Sequence, residues 1–520
     1  MKIGFINAKV FTGKNENDFI SEFSIKNDKF CEINNVNRND CNKIIDLKNA
    51  CVIPALSDTH THPTYVSQII NSLACTKPNV ANIPQLIEFL KTSPNYGKEN
   101  EWIKGWCYDE SKLEENRTPT IKDLDLVSVN QPIYVLRSCC HSCICNSKAL
   151  KLANITKDTK DPKGGKIGRF EDGTPNGIMY DLGASMLIRN AMEKESLEDE
   201  AKKLVKLGEI YASLGIVNIS DMMCYSNPLK AYELYKLAKT MGLKQRVSLY
   251  QVYKDAKEFG LFKSSKDLKT NGIKFFVDGT ISSQSAYIST PYKNSKNCGD
   301  LVCSVSEIKE AIEFAKANNC QISFHLMGDE AINIVIDSLS NYDNWLKDYP
   351  SVRFEHASML NLKHIEKIKK LKVKIAVSTQ PLFQYAEYTS YENALEDDRF
   401  NSICALNTLK EHLDLSISSD APATIHHEPF NLFASINAAV LRTDPNGKNY
   451  NKNEEISVES AILMLTKNSQ NILMLDNCTT IEDGKSADFI ILDNDIFSID
   501  KTKIKDIKVH QTWLKGERIY

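Results

Sequence analysis

The chain reads as an α/β protein built on a (β/α)8 TIM-like barrel, with a small β-sandwich domain made from its two ends and a large insertion after the first barrel strand. Three observations predict this architecture. Apolar runs of strand length alternate with stretches of helical periodicity through the middle of the chain, and the runs count to eight. Strand-like segments broken by Asn and Asp turns occur at both ends. Residues 64–195, between the first and second runs, are too many for an ordinary connection and must form a substructure of their own.

Taken in order, strands are expected over 2–7, 23–26, 30–33 and 43–46. The first barrel run starts near Val52 and feeds His60 and His62. Later barrel strands are expected over 215–221, 246–253, 273–277, 321–325, 352–356, 373–378 and 414–419, with helices over 196–214, 227–241, 304–318, 329–340 and 361–370. Strand character returns over 487–492 and 507–516. Because chain ends often lie close together, 1–52 and 480–520 are expected to pair as one composite β domain, leaving 53–479 for the barrel. The insertion 64–195 leaves the barrel beside His60 and His62 and is expected to cover the active site.

Composition narrows the partners. The 64 basic and 67 acidic residues give a formal charge of -3, and no Lys/Arg block suggests nucleic acid or an anionic membrane. The expected partner is a small-molecule substrate, with a second copy of the chain, as a homodimer, left open. The N-terminal apolar stretch is too short for a signal peptide and nothing approaches a membrane span, so a cytoplasmic protein with reduced thiols is expected despite its 15 cysteines. Cys139, Cys140, Cys143 and Cys145 with His141 crowd into seven residues with no second pair nearby, which favours free thiols over a zinc knuckle.

His60 and His62 leave the end of the first run on one side, since side chains alternate along a strand. Two neutral imidazoles there suit zinc, nickel, iron or manganese. Active sites of such barrels gather at the C-terminal ends of the strands. The fifth predicted strand ends in His325, the sixth in His356 and the eighth at Asp420, while Lys274 lies within the fourth. A lysine inside Ile-Lys-Phe-Phe-Val is costly to bury unpaired, and desolvation lowers its pKa. Asp58 and Glu355 are the neighbouring carboxylates expected to orient the imidazoles from a second layer. Alone, each histidine is better read as a hydrogen-bonded core or loop residue and Asp420 as a helix N-cap; their common placement at strand ends reverses that.

This order, HxH, Lys, His, His, Asp on strands one, four, five, six and eight, resembles the amidohydrolase superfamily. The flanking motifs resemble its branch that includes N-substituted formamide deformylases: Asp58-Thr59-His60-Thr61-His62-Pro63, Gly105-Trp106, Asn146-Ser147-Lys148-Ala149-Leu150, Ile273-Lys274-Phe275-Phe276-Val277-Asp278-Gly279, Phe324-His325-Leu326-Met327-Gly328-Asp329, Arg353-Phe354-Glu355-His356, Ser419-Asp420-Ala421-Pro422 and Gly484-Lys485-Ser486-Ala487-Asp488. The resemblance spans nearly the whole chain and is silent on the substrate.

It implies a divalent cofactor, zinc, as one or two ions per chain. His60, His62 and Asp420 would hold the first, His325 and His356 the second, and a carboxylated Lys274 would bridge them. Asp420 and Lys274 are the catalytic candidates, with Asp420 as proton shuttle. The resemblance also implies substrate contacts from His141, in a Cys140-His141 pair where relatives carry Gly-His, and from Trp106, in Gly-Trp-Cys-Tyr where they carry Gly-Trp-Asp-Gln. His426 and His427 are expected in a solvated loop. The activity implied is hydrolysis of an amide, N-formyl or N-acyl C–N bond. The alternatives are a deaminase or cyclic-imide hydrolase on the same scaffold, or a non-catalytic metal-binding protein.

Overall fold

The computed structural model describes residues 1–192, 195–265, 268–424 and 426–520. By internal contacts the chain divides into two compact units. One comprises Met1–Thr64, Leu204–Ala421 and Phe430–Tyr520, the other Tyr65–Lys203 and Pro422–Pro429.

The first unit contains eight parallel strands: β1 Leu56–Thr61, β2 Ile216–Cys224, β3 Arg246–Val252, β4 Lys269–Phe276, β5 Gln321–Leu326, β6 Val352–His356, β7 Ile375–Thr379 and β8 Asp414–Ile417. They pair consecutively from β1 to β8. The β1/β8 seam is drawn together by side chains and loop backbone. Thr59 Oγ1 lies 2.7 Å from Ser416 Oγ, the N–H of Asp420 donates to the His60 carbonyl at 2.8 Å, and the N–H of His62 donates to the Ala421 carbonyl at 2.9 Å. The sheet is thus a nearly closed parallel barrel, as expected. Helices Leu197–Ser213, Ala231–Thr240, Val305–Ala317, Asp329–Ser338 and Leu362–Ile368 fall where the 3.6-residue periodicity predicts them.

Both chain ends share one eight-stranded sheet. Its order is Glu517–Arg518, Val509–Leu514, Phe489–Leu492, Lys43–Pro54, Lys2–Phe11, Phe23–Lys26 and Lys29–Cys31, with Phe19–Ile20 also on Lys2–Phe11. The join is in register, with Phe489 opposite Pro54 and Ile491 opposite Val52. Its core is aromatic: Phe5 stacks on Phe23 at 4.9 Å, Phe489 on Trp513 at 5.4 Å, and Phe5 meets Phe489 edge-on at 5.2 Å. The apolar run beginning at Val52 is not a single strand. Pro54 ends the terminal-sheet strand, Ala55 crosses, and Leu56 begins β1. Apolar character is the same on both sides of this switch, because both stretches are buried, and only their pairing partners differ.

The terminal sheet is anchored to the N-terminal ends of the barrel strands. Arg246 pairs with Asp488 at 2.7 Å and Thr512 Oγ1 donates to the Ala212 carbonyl at 2.6 Å. Gly215 (φ +77°) turns the chain into β2 where a Cβ would stand 2.8 Å from Ile490, so both the backbone and the approach require glycine.

The second unit is built on a six-stranded sheet, in the order Lys166–Arg169, Pro175–Tyr180, Cys143–Cys145, Ile133–Arg137, Ile103–Tyr108, Leu73–Ala74. Helices Ile83–Lys91, Ser147–Leu152 and Asp181–Arg189 belong to the same unit. Among the described residues no disulfide forms, and no helix is long and apolar enough to cross a membrane.

Candidate metal centre

The C-terminal ends of the barrel strands bring the expected ligands together. The Nε2 atoms of His60 and His62 converge on Asp420 Oδ1, at 3.2 and 2.8 Å. Among the described residues these three form the group whose ligand atoms all lie close enough to hold one ion, within 4.8 Å of one another. His356 adjoins them, its ring 4.8 Å from that of His60 and its Nδ1 3.9 Å from Asp420 Oδ2. His325 follows, with its ring 4.5 Å from His356.

Local backbone makes this convergence possible. His356 (φ +65°), Ala357 (φ +44°) and Asp420 (φ +51°) occupy the left-handed region, which costs free energy in non-glycine residues and concentrates at functional sites. At the end of β6 this conformation lets Glu355 and His356, adjacent in sequence, both turn to the centre. β1 carries an extra residue between Asp58 and Thr61 relative to Ile219 and Asp221 of β2, a bulge that breaks the simple alternation. Asp58, expected in the layer behind the imidazoles, has these contacts. Its carboxylate accepts the Ser419 N–H at 3.0 Å and Oγ–H at 2.5 Å, so it positions the segment that carries Asp420. Burial pushes Asp58 up to about 6, against those hydrogen bonds.

Three imidazoles have one nitrogen committed to a protein acceptor. His60 Nδ1 meets Glu355 Oε2 at 2.7 Å, His356 Nδ1 meets Gln380 Oε1 at 2.8 Å, and His325 Nε2 meets the Gly279 carbonyl at 3.1 Å. Such partners fix ring orientation and leave the opposite nitrogen as a ligand. Burial drives His325 down to about 3 and His356 well below its ordinary value, so both rings are neutral. Asp420 stays ionised: burial opposes this, but His60 and His62 together hold it well below the usual carboxylate range.

Lys274 is 1% exposed, and among the described residues its Nζ has no hydrogen-bond partner. Burial pushes it down to about 8, with Glu355 and Asp420 opposing. Two neutral imidazoles, a carboxylate flanked by two further imidazoles, and an orphaned buried amine form a donor set suited to divalent cations.

Several contributors were given no role by the sequence, although Phe276, Asp278, Gly279 and Gly328 stand in its motifs. Gln380 lies beyond β7 and Phe383 stacks on His356 at 5.9 Å, while Phe276 flanks His325 at 5.5 Å. Asp278 accepts backbone N–H groups from Met327 (3.0 Å), Gly328 (2.8 Å) and Tyr287 (3.0 Å). That pins the loop after β4 to the loop after β5 and sets the Gly279 carbonyl against His325. At Gly328 a Cβ would fall 2.0 Å from the Tyr287 carbonyl oxygen, so only glycine fits this join.

The two residues expected to touch substrate belong to the second unit. Trp106 is 5% exposed in a cluster with Tyr134, Leu136 and Cys143. His141 is exposed in the turn before Cys143–Cys145. His426 and His427 are half-buried, with ring centroids 4.5 Å apart.

Known proteins resemble the chain over most of its length. The family model described as the amidohydrolase family matches residues 43–520. The putative amidohydrolase YtcJ of Bacillus subtilis is 25% identical over 92% of this chain and 90% of its own. The N-substituted formamide deformylase of Arthrobacter pascens is 23% identical over 91% and 89%. Among solved structures, an uncharacterized metal-dependent hydrolase from Pyrococcus furiosus superposes with a TM-score of 0.73 at 27% identity, covering 97% of this chain and all of that one.

Proposed function

The chain belongs to the amidohydrolase family, and on that premise we propose that it hydrolyses a C–N bond of amide, N-formyl or N-acyl type in a small molecule. The observation that carries this reading is the convergence of His60 Nε2 and His62 Nε2 on Asp420 Oδ1, beside a buried Lys274 amine with no partner among the described residues. The similarity to a formamide deformylase supports the choice of bond.

His60, His62 and Asp420 would hold one divalent ion, zinc in this proposal, and His325, His356 and carboxylated Lys274 would complete a second position. When bound, such a cation supplies hydroxide at neutral pH and a Lewis acid for the charge that develops on a carbonyl oxygen. The protein does the rest. Asp420 Oδ1 faces His60 and His62, which leaves Oδ2 to accept a proton from the attacking water and return it to the departing nitrogen. Glu355, Gln380 and the Gly279 carbonyl hold three imidazoles in fixed orientations, so little reorganisation accompanies reaction. Phe276 and Phe383 flank His325 and His356 and limit water beside them. His141 and Trp106 are proposed as substrate contacts on the family resemblance.

The test is turnover of zinc-loaded protein on a panel of N-formyl, N-acyl and cyclic amides, with Asp420→Asn as control. Hydrolysis of linear amides that Asp420→Asn lacks is the expected result. Turnover confined to cyclic imides or to exocyclic amines would replace the linear amide with those substrates.

A further inference from the structure

Below the ligand layer the barrel interior holds a second charged layer whose purpose neither packing nor the proposed hydrolysis explains. Arg353 and Glu355 lie two residues apart on β6, and both are fully buried. Arg353 Nε lies 2.7 Å from Glu355 Oε1 as an ion pair without hydrogen-bond geometry, and its Nη2 donates to Glu355 Oε2 at 3.1 Å. The same Nη2 donates to the carbonyl of Thr59, the residue before His60, at 2.7 Å. Glu355 is then saturated: Ser323 Oγ donates to Oε1 at 2.8 Å and His60 Nδ1 meets Oε2 at 2.7 Å. Beneath, the Tyr250 ring lies 4.7 Å from the guanidinium carbon.

A buried ion pair is a poor source of stability, because desolvating two charges offsets most of their attraction. A hydrophobic pair of similar volume would serve the core as well. What this pair does supply is direction. The guanidinium is a planar fork with fixed donor angles, and here it grips β6 through a side chain and β1 through its backbone. The carboxylate it holds has one remaining strong acceptor position, and that position faces His60.

We propose that Arg353 is a positioning residue of the metal centre. By bridging Glu355 and the Thr59 carbonyl it keeps the His60 proton on Nδ1 and presents Nε2 toward His62 and Asp420. The inference rests on the metal-centre reading above, but concerns a residue that touches neither the cation nor substrate. Lysine at this position would keep the charge but, as a point charge on a shorter stem, give up the contact that Nε makes with Glu355 Oε1.

The experiment compares wild type with Arg353→Lys and Arg353→Met in the full chain. The first readout is the Nδ1 proton of His60, hydrogen-bonded to Glu355, in metal-free protein, from long-range 15N–1H spectra. The second is zinc affinity by competition with a chromophoric chelator. Wild type is expected to show His60 protonated on Nδ1. Arg353→Met should lose this hydrogen-bonded Nδ1 proton signal and bind zinc about 10–100-fold more weakly, the range for removal of an outer-shell partner, and Arg353→Lys should fall between. Should Arg353→Met fail to fold, Arg353→Lys is read on its own against wild type. An unchanged Nδ1 proton signal in folded variants overturns the proposal whatever the affinity does, because a purely structural arginine would act that way. Failure of wild type to bind any divalent ion would overturn the metal-centre reading instead, and the result on the Nδ1 proton would still stand.

Discussion

The backbone N–H of Asp420 donates to the carbonyl of His60 at 2.8 Å, so two of the candidate ligands are joined through main chain as well as through their side chains. The barrel seam and the metal centre are therefore one structure. A substitution that spares this backbone bond can test the chemistry without opening the barrel.

Asp420→Asn is such a substitution. Asparagine is isosteric and tolerates the left-handed φ of +51°. Turnover should fall by about 10²–10⁴-fold, the usual range for losing a positioned proton carrier, with the fold kept but the thermal unfolding midpoint of metal-free protein lowered, because the ionised carboxylate that His60 and His62 stabilise is gone. His60→Ala should abolish metal-dependent hydrolysis altogether. Steady-state kinetics beside thermal melts decide both, and an Asp420→Asn variant with wild-type turnover would rule out the proton role.

Lys274 predicts a pH signature. Burial moves its folded pKa to about 8 from an ordinary 10.5. Below pH 8 the lysine is charged in both states and the burial cost is fully present. Between 8 and 10.5 the unfolded chain keeps a proton that the folded one has released, so this group's contribution to stability rises with pH. In urea titrations of metal-free protein, the advantage of Lys274→Met over wild type should shrink across that interval. Carbamate formation needs the neutral amine, so the 13C signal from labelled bicarbonate should grow as pH passes through about 8 and be missing from Lys274→Arg.

Removing divalent ions should lower stability by linkage. Free zinc at 100 times its Kd contributes about 2.7 kcal/mol to a folded state that alone binds it. A thermal scan with chelator should show a lower midpoint, restored by zinc but not by magnesium, which prefers oxygen ligands. A midpoint indifferent to chelator would count against a resident ion.

The terminal sheet should be costly to hollow out. Phe489 is fully buried among Phe5, Phe23 and Trp513, and Phe489→Ala should cost about 3–5 kcal/mol, measured by chemical denaturation. Leu362→Ala, at a position 56% exposed, is the matched control and should change little.

Much of this was legible in residue order, for reasons that can be stated. Periodicities of 2 and 3.6 residues mark elements that each bury one face, which is why the helix at 305–317 and the strand at 352–356 were foreseen almost to the residue. Glu355 was legible through its neighbour His356. Gln380 was not, because a glutamine before Pro381 carries no mark of the imidazole it will meet. The extra residue between Asp58 and Thr61 of β1 was not legible, because a bulge depends on the partner strand rather than on local sequence. The change of sheet at Ala55 was hidden for the same reason: Val52 and Leu56 are equally apolar and differ only in the strands beside them, Phe489–Leu492 and β2.

That change of sheet also orders events during synthesis. The strand Lys43–Pro54, which delivers β1 to the barrel, has Phe489–Leu492 as a neighbour, and β1 itself is sealed by the segment that carries Asp420. His60 and His62 emerge from the ribosome early and β2, the neighbour of their strand, follows before mid-chain, but the segment that carries Asp420 comes 358 residues after His62. The candidate ligand set is therefore assembled only after the chain has been made past Asp420, when the two edges of the barrel can meet.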